Sequence, residues 1–339
     1  MTGMSTPGSS PRSPSRVTRR RFLALAGTGL GASALSACSL THAEHPDLEA
    51  RLGAPVGPAN GTPTPEPTPT PPPLHARGNE VVTLLKGTPW AADGIAIHSG
   101  RPGPRIMVLG GVHGNEPGGW LAAEGIADWQ VERGSLLVVP RVNWRSDAVM
   151  ERTLPELGDL NRLYPGNPDG LPMARMAAAI IDLGREFQPE LLYDLHESWV
   201  FYAERGASSG TAFIGQTFAI GAGANDATID RLANVVRTVN AQIAPREEFY
   251  MRGAATPRPG VQVVPSNTPR PGATPSPSAT RPQGNGVTFS GTTSLSIGQW
   301  VRGCVPILVE MGQQNQAESR RAALHQMLVR TTLDQSGML

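Results

Sequence analysis

The chain of 339 residues is poor in cysteine, with only Cys38 and Cys304, and poor in net charge, at +1 at pH 7. A charge this close to zero leaves no clustered excess of Lys and Arg of the kind that phosphate binding needs, and argues against a nucleic-acid partner. Acidic residues are missing altogether before Glu44, which sets the N-terminus apart from the rest. What the chain has in excess is 33 prolines and 39 glycines, too many to spread through a single core. Part of it is therefore not folded domain.

The acid-free N-terminus contains TRRRFLALAG, Thr18 to Gly27, whose Arg19-Arg20 pair and following apolar residues resemble a twin-arginine export signal. The apolar stretch is too short and too rich in Gly and Ala for a retained membrane helix. It closes with LSAC, Leu35 to Cys38, which resembles a lipobox; Cys38 is then the lipidated first residue of the mature chain. Simple cleavage after Ala32 to Ala34 is the alternative. With Cys38 so used, Cys304 has no partner for an intramolecular disulfide despite an oxidising destination. The expected organisation is a signal peptide over 1–37, a tether over 38–78, and one domain over 79–335, anchored outside the cytoplasm after passage through the twin-arginine machinery. GTPTPEPTPTPPPL in the tether favours polyproline II, and about 20 such residues reach roughly 60 Å at about 3.1 Å each. A second Pro-rich segment, 254–286, reads as a disordered insertion within the domain rather than a boundary.

Within the domain, short apolar runs predict strands at 80–85, 105–110, 135–140, 190–195 and 305–310, several of them continuous enough to be buried on both faces. Helical spacing separates them: Met173, Met176, Ala177, Ile180, Ile181 and Phe187 between two prolines, then Ile229 to Ile243, then a last helix around 317–331. Alternating strands and helices predict an α/β fold, with a mostly parallel or mixed central sheet and helices on both faces. Ligands in such folds bind beyond the carboxyl ends of the strands, and His113 and His196 are expected to follow such ends.

Four stretches carry polar groups near strand ends: HGNE (113–116), DLNR (159–162), DLHE (194–197) and VPILVE (305–310). A catalytic zinc site needs three protein ligands and an open position, and His113, Glu116 and His196 supply a His, Glu, His set. The proton-moving base is Glu310, at the end of an apolar strand. A fixed cation for the developing oxyanion is Arg152 or Arg145. Asn161 and Arg162 form a planar donor pair suited to a substrate carboxylate.

The order HGNE, DLNR, DLHE and a late Glu resembles the zinc carboxypeptidase superfamily, peptidase family M14, near its succinylglutamate desuccinylase and aspartoacylase branch, over about residues 80–335. The resemblance implies one zinc held by His113, Glu116 and His196, a proton shuttle at Glu310, a carboxylate grip at Asn161 and Arg162, and Asp159 orienting His113 from behind. It favours Arg152 for the oxyanion role and leaves Arg145 open. Only 29 residues follow Glu310, so the extra C-terminal domain of that branch is missing, as in a murein peptide amidase or small carboxypeptidase. The 80-residue spacing from Glu116 to His196 is nearer the desuccinylase branch.

Other groups receive plainer readings. Glu197 faces away from His196 along an extended strand and is structural or solvent-facing. His98 is an ordinary strand-end histidine; His42, His45 and His75 belong to the tether; His325 belongs to a solvated helix face. Cys304 is a small buried residue. Trp199, Phe201 and Tyr202 either line a substrate pocket or pack in the core. The functional expectation is hydrolysis of an amide or peptide bond beside a free carboxylate, in a peptide or muropeptide. The alternatives are an N-acyl amino acid deacylase and, in another class, a non-catalytic peptide-binding surface lipoprotein.

Overall fold

Five strands were expected, and the sheet has eight among the described residues. In the computed structural model, residues 74–253, 258–264 and 291–339 are described. The signal peptide, Cys38, most of the tether, and residues 254–257 and 265–290 lie outside them. The chain divides into two units, Met1–Pro67 and Thr68–Leu339, and the second contains every described residue.

The strands are β1 (Gly78–Leu84), β2 (Ala92–His98), β3 (Arg105–Leu109), β4 (Ser135–Val139), β5 (Leu191–Ser198), β6 (Thr217–Ile220), β7 (Tyr250–Arg252) and β8 (Val305–Gly312). The helices are α1 (Pro117–Ala127), α2 (Trp144–Val149), α3 (Pro172–Phe187), α4 (Asp226–Asn240) and α5 (Glu318–Gln335). The sheet order is β1-β2-β4-β3-β5-β8-β6-β7. β4, β3, β5 and β8 run parallel, while β1, β2 and β6 make the antiparallel joins, so the sheet is mixed.

The parallel strands are the apolar runs read from the sequence, and every residue of β3, β4, β5 and β8 is buried. Two cores explain why. Ala122, Ala123 and Ile126 of α1 pack with apolar residues of α4 and α5 on one face of the sheet. Met173, Met176, Ala177 and Ile180 of α3 cover the other. α4 begins three residues earlier than its apolar spacing suggests because Asn225 caps it, accepting a hydrogen bond from the Thr228 backbone N–H. Of the Pro-rich insertion, residues 258–264 are described and lie against β7 and α4: Met251 N–H donates to Gln262 O, and Arg258 reaches Asp226 and Asp230. No helix among the described residues is long and apolar enough to cross a membrane.

The crossover through α1 takes the chain from β3 to β4 on one side, and the later crossover through α3 takes it to β5 on the other. The strand order therefore reverses at β3, and the crevice beyond β3 and β5 is the topological switch point of the sheet.

Candidate metal centre

β3 delivers its chain into a turn that glycine makes feasible. Gly111 takes φ +67°, and a Cβ on Gly114 would lie 2.1 Å from the Ser146 carbonyl, so both positions need a hydrogen for a side chain. The turn presents His113 and then Glu116, immediately before α1, with Pro117 at the first helical position. On β5, His196 lies inside the strand rather than beyond its end. Strand alternation puts Asp194 and His196 on the face of Leu192, and Tyr193, Leu195 and Glu197 on the other.

The three expected ligands converge. His113 Nδ1 is 2.8 Å from Glu116 Oε1, His196 Nδ1 is 2.8 Å from Glu116 Oε2, and the two Nδ1 atoms are 3.0 Å apart. Carboxylates take the outward ring nitrogens: His113 Nε2 is 3.1 Å from Asp159 Oδ1, and His196 Nε2 is 2.8 Å from Asp194 Oδ2. With each Nε2–H donating outward, two imidazole lone pairs and a carboxylate face one another without a proton between them. A cation relieves that arrangement, and these donors fit a metal ion.

The electrostatics agree. Burial opposes charge on both rings, yet both are drawn above the usual histidine range, His113 by Glu116 and Asp159, His196 by Asp194 and Glu116. Burial likewise opposes the Glu116 charge, and the two imidazoles overcome it and hold the carboxyl well below its usual range. A cluster that draws protons this strongly attracts positive charge of any kind.

Glu310 stands beside this set by register. It pairs with His196 across β5 and β8 and with Thr217 across β8 and β6, so all three side chains share one face. Burial pushes its carboxyl up to about 8, with His196 pulling it down and Glu116 pushing it further up. Arg152 donates from Nε and Nη2 to Asp159 Oδ2, at 3.2 and 3.1 Å, and Nη1 lies 3.5 Å from Glu116 Oε1. Its guanidinium therefore lies against the ligand set. Arg145 does not join it: exposed on α2, its guanidinium lies over the Trp144 ring at 5.6 Å.

Asp159 has a second duty, accepting the Asn161 N–H and capping a short 3₁₀ turn over Leu160–Arg162. Asn161 is buried, with Oδ1 accepting the Ser294 N–H, which ties this turn to the segment ahead of β8. Arg162 is exposed and donates from Nη1 to the Asn161 carbonyl.

Several groups differ from the sequence reading or were missed by it. Asp194 was not singled out, although its position two residues before His196 on a strand is a readable sign that the two share a face. Glu197 is structural, not solvent-facing: it is buried, accepts from Arg321 Nε at 2.5 Å and from Gln313, and its backbone N–H donates to Glu116 Oε2. His325 is fully buried rather than on a solvated face, and burial pushes its imidazole down to about 3. Its helix packs against α1 and α4, a tertiary contact that helix spacing alone does not reveal. Phe201 is wholly buried and Tyr202 half-buried, whereas Trp199 is 58% exposed. Cys304 is buried, as expected. Gly206–Gly210 spells G-x-S-x-G, but it lies in an exposed loop between two 3₁₀ turns, not on the strand-to-helix elbow that a serine nucleophile requires.

Comparison with known families bears on this geometry directly. Residues 102–199 match the family model of the succinylglutamate desuccinylase/aspartoacylase catalytic domain. That span contains His113, Glu116, Arg152, Asp159, Asn161, Arg162 and His196, and it is the branch the motifs resemble. Among solved structures, a succinylglutamate desuccinylase/aspartoacylase from Rhodobacter sphaeroides is 16% identical, with 80% of this chain and 69% of that one covered and a TM-score of 0.52. The tripeptide-bound cell shape determinant protein Csd4 from Helicobacter pylori is 20% identical, with a TM-score of 0.51; 73% of this chain is covered, and this chain spans 56% of that protein's length. No curated protein sequence matches the chain. The shared feature is the fold, which in this chain is a mixed eight-stranded sheet with helices on both faces among the described residues.

Proposed function

We propose that this chain is a zinc-dependent hydrolase that cleaves an amide or peptide bond next to a free carboxylate, working outside the cytoplasm from a lipid anchor on Cys38. The observation that carries the reading is the inward convergence of His113, Glu116 and His196, each imidazole held from behind by a carboxylate, with Glu310 in register beside His196.

The chemistry a bound zinc supplies is Lewis acidity, which makes a water more acidic and a carbonyl more electrophilic. The chain's own residues do the rest. Asp159 and Asp194 keep the outward Nε2 atoms protonated, so that both Nδ1 lone pairs stay available. Glu310 accepts a proton from the attacking water and returns it to the leaving amine; its buried setting brings the carboxyl nearer to neutral pH than an exposed Glu, where a group that must both take and give a proton works best. Arg152 donates to the oxyanion as it develops. Arg162, with the Asn161 amide beside it, binds the substrate carboxylate through paired hydrogen bonds.

The tripeptide in the Helicobacter pylori neighbour supports a peptide substrate, and the family match over 102–199 supports a second reading, an N-acyl amino acid deacylase. A hydrolysis screen with peptides, muropeptides and N-acyl amino acids, run with and without a chelator, tests both. Release of a C-terminal amino acid or a muropeptide fragment supports the first, and deacylation the second. Purified protein without zinc, or chelator-resistant hydrolysis, defeats both.

A further inference from the structure

A second group of two imidazoles and a carboxylate sits at one edge of the sheet. His75, Glu80 and His98 bring one ligand-type atom each to within 4.8 Å of one another. Glu80 is on edge strand β1, His98 ends β2, and the two strands pair antiparallel, with His75 just ahead of β1. The group opens on a cavity of about 590 Å³, walled also by Arg105, Leu183 and Phe187.

His98 points to a ligand. It is 6% exposed, and its Nδ1 is 2.8 Å from Ser135 Oγ. Its Nε2 is buried and has no hydrogen-bond partner, with Glu80 Oε2 4.0 Å away. When Nδ1–H donates to Ser135, the Nε2 lone pair faces a carboxylate with nothing between them. The other tautomer leaves an N–H too far from that carboxylate to bond it. Neither satisfies a buried polar atom, and a cation satisfies both it and the carboxylate. His75 stacks on His98 with ring centroids 4.2 Å apart and planes 6° apart. Its exposed side chain is free to turn its lone pair toward the same point.

We propose that His75, Glu80 and His98 form a second site for a divalent transition metal, zinc being the best match to two imidazoles and one carboxylate, with water completing the coordination. Donors about 2.0–2.1 Å from a tetrahedral ion stand roughly 3.3 Å apart, so the group closes slightly on binding. Exposed His75 and Glu80 make that movement while buried His98 stays fixed. The bound ion fastens the residues that lead into β1 onto β2, so the role is to secure the point where the N-terminal segment joins the domain. This inference does not depend on the proposed hydrolysis.

The test is zinc content per chain after equilibration with a small excess of Zn²⁺ and dialysis, for wild type, His75→Ala and Glu80→Gln, both exposed substitutions. Two zinc ions in wild type and one in each variant are expected. A His196→Ala chain retaining one zinc, which His75→Ala then removes, gives the same result with the first centre disabled. Wild type holding a single zinc, or both exposed variants still holding two, overturns the proposal and leaves the stacked imidazoles as packing only.

Discussion

The two His-Glu-His groups use the same donors and differ in what stands behind them. At the switch point, all three donor residues are buried, and Asp159 and Asp194 hold the rings from outside. At the sheet edge, Ser135 holds one ring, and His75 and Glu80 are exposed. Positioning that is complete before binding suits a site that must hold an ion in a fixed geometry through a reaction. A site completed on binding suits fastening one piece of chain to another. The lesson is that donor type marks a metal site, and the groups behind the donors indicate its use.

Three substitutions probe that contrast. Glu310→Gln is expected to lower kcat by about 10²- to 10⁴-fold, the usual range for a lost general base, while zinc content stays that of wild type. Hydrolysis surviving this change would remove the mechanism and leave only a metal-binding fold. Asp194→Asn takes the anionic support from His196 and is expected to weaken the central zinc by about 10- to 100-fold in competition with a chelator. A neutral hydroxyl is a weaker support, so Ser135→Ala is expected to weaken the edge ion by only about 2- to 10-fold, the worth of one ordinary hydrogen bond. If the two changes prove equal, the contrast between the sites fails.

A separate effect, on stability rather than on either group of donors, is expected at Asp147, a buried carboxyl beneath the His113 turn with no hydrogen-bond partner on either oxygen. Burial raises it to about 8 from 3.8, against the pull of Arg141. The folded chain thus keeps a proton that the unfolded chain has released. Its contribution is complete below the unfolded value and is lost as pH rises through the folded one. Asp147→Asn, neutral throughout, is therefore expected to gain thermal stability relative to wild type as pH rises from about 4 to 8. A melting-temperature difference that does not change with pH would show that Asp147 is ionised in the folded chain.

Much of the fold and the grouping of the central donors were legible in the sequence because they lie on or beside the most regular elements. β3, β4, β5 and β8 are buried on both faces and read as unbroken apolar runs. β2 was not read, since Asp93 and Gly94 interrupt it, and β6 and β7, at four and three residues, are too short to show a period. At the site, His113, Glu116 and His196 were read as ligands because their residue types and order are distinctive. Asp194 touches His196 directly but hides inside an apolar strand. His75 was assigned to the tether from its Pro-rich neighbours, although the contact that matters is made with β2, which the sequence did not announce. Local composition describes local conformation, whereas a ring stacked across two strands depends on pairing.

The pairing of β8 has one further consequence. Glu310 lies between His196 on β5 and Thr217 on β6, so this strand is gripped along both edges by partners running in opposite directions. A slip of one residue would turn Glu310 toward α1 and α5 and set Val309 or Met311 against the imidazoles. The Glu310 carboxyl is thus aligned by backbone hydrogen bonds that never touch it, made along both edges of β8.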